Sequence, residues 1–313
     1  MELAGIVALK ILGMILILAV GVLCQRLQII SDRTNKQLAE LVMLVVNPIL
    51  ILMSYNAVFE RALLKNFIWA LVASAAVFAL TILIAHVTYP DRRSAHARVE
   101  RFALVYTNCS FIGIPLIQGV IGAEGILLMS AFIGVFNILV WTHGVVVMSG
   151  IKPSLKQFLG SLKAPALIAV VVGFSMFISP FRLPAWLAEP LDLIGGMNTP
   201  LAMLVAGVNL AQGDLLRVVR QKRTHIFNAV KLFLIPALTI GLMWLFVHLA
   251  GVDYKVAMTV FVAAACPTGS SVTMFAGRYD EDEYYAADLF MISTLFSLIT
   301  IPLMAMLAAL AFV

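Results

Sequence analysis

Apolar runs of near-membrane length, separated by short charged connections, dominate the pattern of this chain. About 20 mostly apolar residues in an α-helix suffice to cross a bilayer core. The first such run extends from Gly5 to Cys24, the second from Leu38 to Tyr55 and the third from Phe67 to Val87. A fourth begins near Arg101, is interrupted, and resumes through Ile121; a fifth covers Ile126 to Met148. The remaining runs are Leu162 to Ile178, Leu191 to Leu210, Ile226 to Leu249, Val256 to Ala276 and Tyr284 to Leu310. The pattern predicts an all-α membrane protein with ten transmembrane helices. The Met1 segment has no basic stretch before its apolar run, so it is expected to remain as the first span.

Two polar interruptions stand out against this background. One is Asn108-Cys109-Ser110-Phe111-Ile112-Gly113-Ile114-Pro115 in span 4, and the other is Cys266-Pro267-Thr268-Gly269-Ser270-Ser271 in span 9. Backbone groups freed inside hydrocarbon must find partners in protein or in a water-filled cavity, so a break at this depth suggests a site. Pro48, after Asn47, predicts a kink in span 2 because proline lacks a donor and clashes with the preceding turn. Span 7 is interrupted by Gly195-Gly196 and by Asn198-Thr199-Pro200.

Pro48 and Pro200 are 152 residues apart, and so are Pro115 and Pro267. Each half then has five spans, kinked in its second and broken in its fourth. Five is odd, so the halves are expected to be inverted repeats: residues 1–149 and 161–313, joined by a cytoplasmic linker at 150–160. Broken helices at corresponding places in two halves point to a transporter site near the middle of the membrane.

Composition and charge agree with this reading. The chain is 62% hydrophobic and 12% charged, where soluble domains carry about 25% charged residues. Lys and Arg number 15 in the loops after odd-numbered spans and five on the other side, with Lys231 set aside as intramembrane. Basic loops stay cytoplasmic, which places both termini outside and requires an even number of spans. The net charge of +5 is therefore read as an orientation signal, with no nucleic-acid partner. Lys10 and Lys231 are expected to snorkel toward the interfaces. The connection holding Pro180, Arg182, Pro184, Glu189 and Pro190 is expected to lie at an interface. Cys24, Cys109 and Cys266 have no metal-ligand spacing, so neither a metal site nor a disulfide framework is expected.

The breaks also carry the candidate chemistry. Half-helix N–H ends favour anions, and carbonyl ends favour cations. Asn47, Asn108 and Asn198 can donate and accept; Ser110, Thr199, Thr268, Ser270 and Ser271 add small hydroxyls beside Pro115 and Pro267. This is a lining for a carboxylate. There is no Ser-His-acid set, no paired carboxylates at helical spacing and no phosphate loop, so no enzyme and no cofactor are expected. Asp288, near the start of span 10, and His143, in span 5, are candidates for proton coupling. Broken-helix carbonyls also suit Na⁺. Asn137 reads as glue between helices.

Several stretches together resemble the auxin efflux carrier family, which includes bacterial malonate and malate permeases. They are Asn47-Pro48, Asn108 through Leu116, Pro200 through Leu210 and Ser293 through Pro302. The resemblance covers nearly the whole chain. It implies two inverted five-helix repeats with crossing broken helices 4 and 9, a fold similar to that of bile-acid sodium symporters. It also implies a scaffold of spans 1, 2, 6 and 7, a transport domain of spans 3–5 and 8–10, and a homodimer formed through the scaffold. The family's crossover prolines match Pro115 and Pro267, and its polar residue before the span-4 proline matches Asn108. The short 150–160 linker departs from plant members with a long central loop and weighs against auxin itself. The expected function is secondary transport of a small organic anion, such as malonate or another carboxylate. Transport would cross a bacterial cytoplasmic (inner) membrane by alternating access, with H⁺ or Na⁺ as coupling ion. Transport of an auxin-like aromatic carboxylate, and a non-transporting sensor of such an anion, are the alternatives. The expected partners are the anion, membrane lipids and a second copy of the chain.

Overall fold

A computed structural model describes residues 2–90, 96–151, 163–179, 181–212 and 221–312, with side chains from residue 12 onward except that of Gln212. Several sequence-based expectations lie outside these residues: Arg92, Arg93, Lys152, Pro153, Lys156, Pro180, Arg217, Arg220, nearly all of the 150–160 linker and the side chain of Lys10.

The chain is all-α. Its helices are α1 (Glu2–Arg26), α2 (Asp32–Ser54), α3 (Arg61–Thr88), α4 (Ala97–Val105), α5 (Cys109–Val120) and α6 (Ala123–Ser149). They continue as α7 (Pro165–Ile178), α8 (Ala185–Ala211), α9 (Lys222–Ala250), α10 (Tyr254–Ala265), α11 (Ser271–Arg278) and α12 (Glu283–Phe312). Among the described residues, α2, α3, α6, α8, α9 and α12 are each long and apolar enough to cross a membrane. Shorter apolar helices lie at Leu12–Arg26, Cys109–Val120, Pro165–Ile178 and Tyr254–Ala265, where the sequence pattern places spans 1, 4, 6 and 9. Lipid offers no hydrogen bonds, so helices that satisfy their own backbone are the natural outcome of these runs.

Local chemistry sets the ends. The Ser31 hydroxyl accepts the Thr34 N–H at the start of α2, and the Asp253 carboxylate accepts the Lys255 N–H at the start of α10. Gly150 and Gly251 close α6 and α9 in the left-handed conformation (φ 69° and 63°) that glycine adopts without penalty.

The boundaries correct the sequence reading in one region. Pro184 caps a helix that already contains Glu189 and Pro190, so this stretch is the first part of α8 and not an interfacial loop. The kink expected at Pro48 takes a specific form. A wide π-helical turn at Val42–Val46 precedes Pro48, another at Cys109–Gly113 precedes Pro115, and a third at Val230–Leu234 precedes Pro236. Each proline comes two residues after its wide turn, which makes room for a ring that would otherwise clash with the carbonyl four residues back.

Glycines allow the closest helix contacts. Gly207 of α8 lies against the Leu18 carbonyl of α1, and Gly21 of α1 lies against the Leu204 carbonyl of α8. Gly173 of α7 faces the Tyr55 ring just past α2, and Gly195 of α8 approaches Leu50 of α2. A side chain at any of these points would push the helices apart. Asn35 donates to Asn209 at 2.6 Å, so α2 and α8 run antiparallel, with Asn35 level with Asn209 and Leu50 with Gly195. A second body of packing joins α3, α6, α9, α10 and α12, with Phe78, Phe102, Tyr106, Phe132, Phe261 and Phe275 fully buried.

Candidate functional site

The two breaks meet. Thr107, between α4 and α5, pairs antiparallel with Thr268, between α10 and α11. The Asn108 N–H donates to the Pro267 carbonyl at 2.8 Å, and the Gly269 N–H donates to the Tyr106 carbonyl at 2.9 Å. Each break thereby supplies partners for backbone groups freed in the other, as hydrocarbon surroundings demand. Gly269 permits the approach, since a Cβ there would sit 3.0 Å from the Thr107 carbonyl oxygen. Thr268 is fully buried; its hydroxyl donates to the Ala103 carbonyl (3.1 Å) and its N–H to the Ser293 hydroxyl (3.1 Å).

The crossing also corrects the spacing of the two halves. Thr107 and Thr268 are 161 residues apart, as are the first residues of α3 and α9, Arg61 and Lys222. The first residues of α2 and α8 are 153 apart. The 152-residue offset thus fits Pro48 and Pro200 but not the breaks. Pro267 lies in its break, whereas Pro115 lies on α5, past the wide turn. The register changes because α8 has 27 residues where α2 has 23 and the connection after α8 is also longer.

Helix polarity at the crossing is ordered. α4 and α10 end there with their carbonyls, while α5 and α11 begin there with free N–H groups. At the carbonyl end of α4, the Lys231 ammonium donates to the Leu104 carbonyl at 2.7 Å. Lys231 is fully buried, which overturns the expectation that it snorkels to the basic loop. A cation at a helix C-terminus opposes the negative end of the dipole.

On the N–H side lies a cavity of about 330 Å³ bordered by Asp32, Asn35, Lys36, Asn108, Asn209 and Ser270, with Phe111 and Phe290. Asn108 is 7% exposed, and its amide has no hydrogen-bond partner among the described residues. Ser270 is exposed, and Lys36, also exposed, forms no ion pair among the described residues. The Asp32 carboxylate accepts from Gln25 at 3.0 Å. A second cavity, about 460 Å³, is bordered by Met14, Ile17, Pro115, Gln118 and Thr199. Between the two is an apolar neck of about 30 Å³ that includes Met14, Leu18, Ile112, Leu116, Met203 and Ala206. Met14 borders the neck and the second cavity, and Ala206 borders the neck and the first.

The residues expected to form one site are therefore distributed. Asn108 and Ser270 share the first cavity; Pro115 and Thr199 line the second, where the Thr199 hydroxyl reaches the Gln118 side chain at 3.4 Å. Pro267 and Thr268 are buried in the crossing. Ser271 begins α11, with a buried hydroxyl lacking a partner, and Ser110 is half-buried beside Asn108. Asn47 and Asn198 lie between α2 and α8, level with each other by the antiparallel register. Asn198 is fully buried with neither amide atom hydrogen-bonded among the described residues. Asp288 is buried on α12, where its carboxylate accepts from Gln221 at 3.2 Å. His143 is within 3.0 Å of the Tyr106 hydroxyl, which donates to the Leu139 carbonyl. Sequence reasoning missed Asn35, Asn209, Tyr106 and His86, and counted Lys36 only as an orientation charge. The one available signal was Lys231, a cation inside an apolar run.

Crossed broken helices, a polar cavity at their N–H ends and six helices of membrane-crossing length define a multi-pass membrane protein built to move a solute. A family model described as membrane transport protein matches residues 6–305, and the chain belongs to that family. The match bears out the resemblance to auxin efflux carriers at the level of the family. The family is one of transport, and the chain is not an enzyme. No curated protein is matched by the chain.

Proposed function

We propose that the chain is a secondary transporter of a small organic anion, with malonate or a similar carboxylate as substrate. The observation that carries this reading is the cavity at the crossing. There the unpaired Asn108 amide, the Ser270 hydroxyl, the Lys36 ammonium and the starts of α5 and α11 border one space. An anion there gains amide and hydroxyl donors and the positive ends of two helices. Lys231 offsets the carbonyl end of α4, one of the two carbonyl ends at the crossing that would repel an anion.

Alternating access accounts for the second cavity and the neck. The solute held at Asn108 passes the apolar neck when α1 and α8 move relative to α5 and α12. In this reading α1, α2, α7 and α8 are the scaffold, joined by their glycine contacts. The helices α3–α6 and α9–α12 are the transport domain, and the two halves are inverted repeats. The scaffold pairs with that of a second copy. The protein sits in a bacterial cytoplasmic membrane with both termini outside, so the Asn108 cavity, beside the start of α2, opens inward.

Uptake of labelled malonate and related mono- and dicarboxylates into proteoliposomes tests the reading. Saturable uptake that Asn108→Ala weakens supports it. Anion binding by thermal shift without uptake of any member of the panel would make the protein a sensor.

A further inference from the structure

Tyr106 connects the crossing to a histidine pair that the anion site does not use. Its carbonyl accepts the Gly269 N–H across the crossing, while its ring points away, between α4 and α6. The Tyr106 hydroxyl donates to the Leu139 carbonyl (2.8 Å), so its oxygen accepts from His143, whose Nδ1 is 3.0 Å away. Nδ1 of His143 therefore carries the hydrogen. On α3, Nδ1 of His86 faces the Ile82 carbonyl at 2.9 Å, and it too must be the donor. In both neutral rings Nε2 is left as the proton acceptor. The ring centroids are 5.5 Å apart. His86 is exposed, whereas Nε2 of His143 is buried without a partner.

This is the arrangement of a proton path with an entrance and a terminus. We propose that His86 and His143 form a relay in which Nε2 of His143 binds the proton that accompanies the anion. The inference rests on the transport reading above and extends it to the coupling ion. A hydronium ion at the interface gives a proton to Nε2 of His86 and leaves as water, and the proton passes to Nε2 of His143, directly or through one water. His86 returns to neutral, and His143 gains one positive charge. No other bond changes. In the conformation described, that proton meets no acceptor. The other charged group facing His143 among the described residues is Arg101 of α4. The Tyr106 hydrogen bond joins this terminus to the crossing, so a shift of the breaks changes what Nε2 of His143 meets. Release of the proton then follows the movement that releases the anion.

Two measurements on the intact protein decide the proposal. In lipid nanodiscs, ¹⁵N-histidine NMR follows each ring across pH 4.5 to 8.5, with H86Q and H143Q assigning the signals. Nε2 of His143 is expected to titrate, and H86Q to move its midpoint. An Nε2 that never protonates, or a titration indifferent to H86Q, overturns the relay. In proteoliposomes the probe is labelled malonate, and malonate exchange, which moves no net proton, reports folding in every variant. For one proton per anion, a gradient of one pH unit changes accumulation about tenfold. H143Q and Y106F are expected to abolish that response, and D288N to keep it. A response lost in D288N and kept in H143Q assigns coupling to Asp288 and overturns the proposal. If the wild type moves no malonate, the substrate reading fails, while the NMR titration still judges the proton site.

Discussion

The two breaks are alike in position and unlike in chemistry. At the second, the Thr268 side chain and N–H are both engaged, the hydroxyl with Ala103 and the N–H with Ser293. At the first, Asn108 uses its backbone N–H for the crossing but leaves its amide unpaired at the edge of a cavity. The carbonyl ends differ in the same way. α4 ends near a buried Lys231, whereas α10 ends at Cys266, whose thiol turns back to the Val262 carbonyl of its own helix. A reciprocal pair of backbone hydrogen bonds thus joins two breaks with unlike side-chain chemistry. The first break offers an unpaired amide to a ligand, while the second adds Ser270 to the same cavity and keeps Thr268 engaged within the crossing.

The sharpest way to break that comparison is at Gly269. Valine there places a branched side chain where even a Cβ would be 3.0 Å from the Thr107 oxygen. Overpacking of this kind costs about 1–3 kcal/mol, and at Gly269 it also opens both backbone hydrogen bonds of the crossing. Gly269→Val is expected to abolish uptake and to lower the thermal midpoint in detergent by far more than a substitution at Lys231, Asn108 or Thr268. A midpoint equal to that of the wild type would mean that the breaks are held from elsewhere.

The next effects separate the two roles. Lys231→Met removes the cation at α4 while keeping an unbranched apolar stem. A charge-assisted hydrogen bond contributes about 1.5–3 kcal/mol, and loss of the charge leaves the carbonyl end of α4 uncompensated within the crossing. Anion affinity is expected to fall about tenfold or more, a change of 1.4 kcal/mol per decade, as read by isothermal titration with malonate. Cys266→Ala, at the corresponding end of α10, is expected to leave affinity alone. For the paired polar residues, Asn108→Ala is expected to cost up to about tenfold in affinity with an unchanged thermal midpoint. Thr268→Ala is expected to lose about 1 kcal/mol of stability with affinity kept. Reversed outcomes would exchange the roles of the two breaks.

How much of this was legible in the sequence follows from what each feature depends on. The apolar runs fix helices because lipid leaves the backbone no other solution. The breaks were visible as polar, Gly- and Pro-bearing stretches within them. Their meeting was not visible in detail, because the proline spacing pairs Pro115 with Pro267 while the pairing in space is Thr107 with Thr268. A few added residues around the end of α8 shift the register, and nothing local in either break records that shift. The wide turns before Pro48, Pro115 and Pro236 were likewise hidden, since a proline announces a disturbed helix without saying how the chain absorbs it. Lys231 was visible as a cation in an apolar run, but its direction depends on α4, 127 residues earlier. Lys36 escaped notice for the opposite reason: as one of many loop cations, it had an orientation role that already accounted for it.

Lys36 therefore gives the smallest and most discriminating test. It is exposed, lies on the first turns of α2 and borders the same cavity as Asn108. If it only sets orientation, Lys36→Gln leaves anion affinity untouched, because the other loop cations still fix the topology. If it faces the carboxylate, the loss is that of a solvent-exposed ion pair, about 0.2–1 kcal/mol, or up to roughly fivefold in affinity. The contribution of Lys36 must also fade with salt, since exposed charges are screened within about 8 Å at physiological ionic strength. The buried amide of Asn108 carries no such dependence. Malonate affinity measured at low and high salt in K36Q, N108A and the wild type separates the two. The wild type should approach K36Q as salt rises, while N108A stays weaker by the same factor throughout. Parallel salt curves for K36Q and the wild type would remove Lys36 from the site and leave anion recognition to Asn108, Ser270 and the two helix ends.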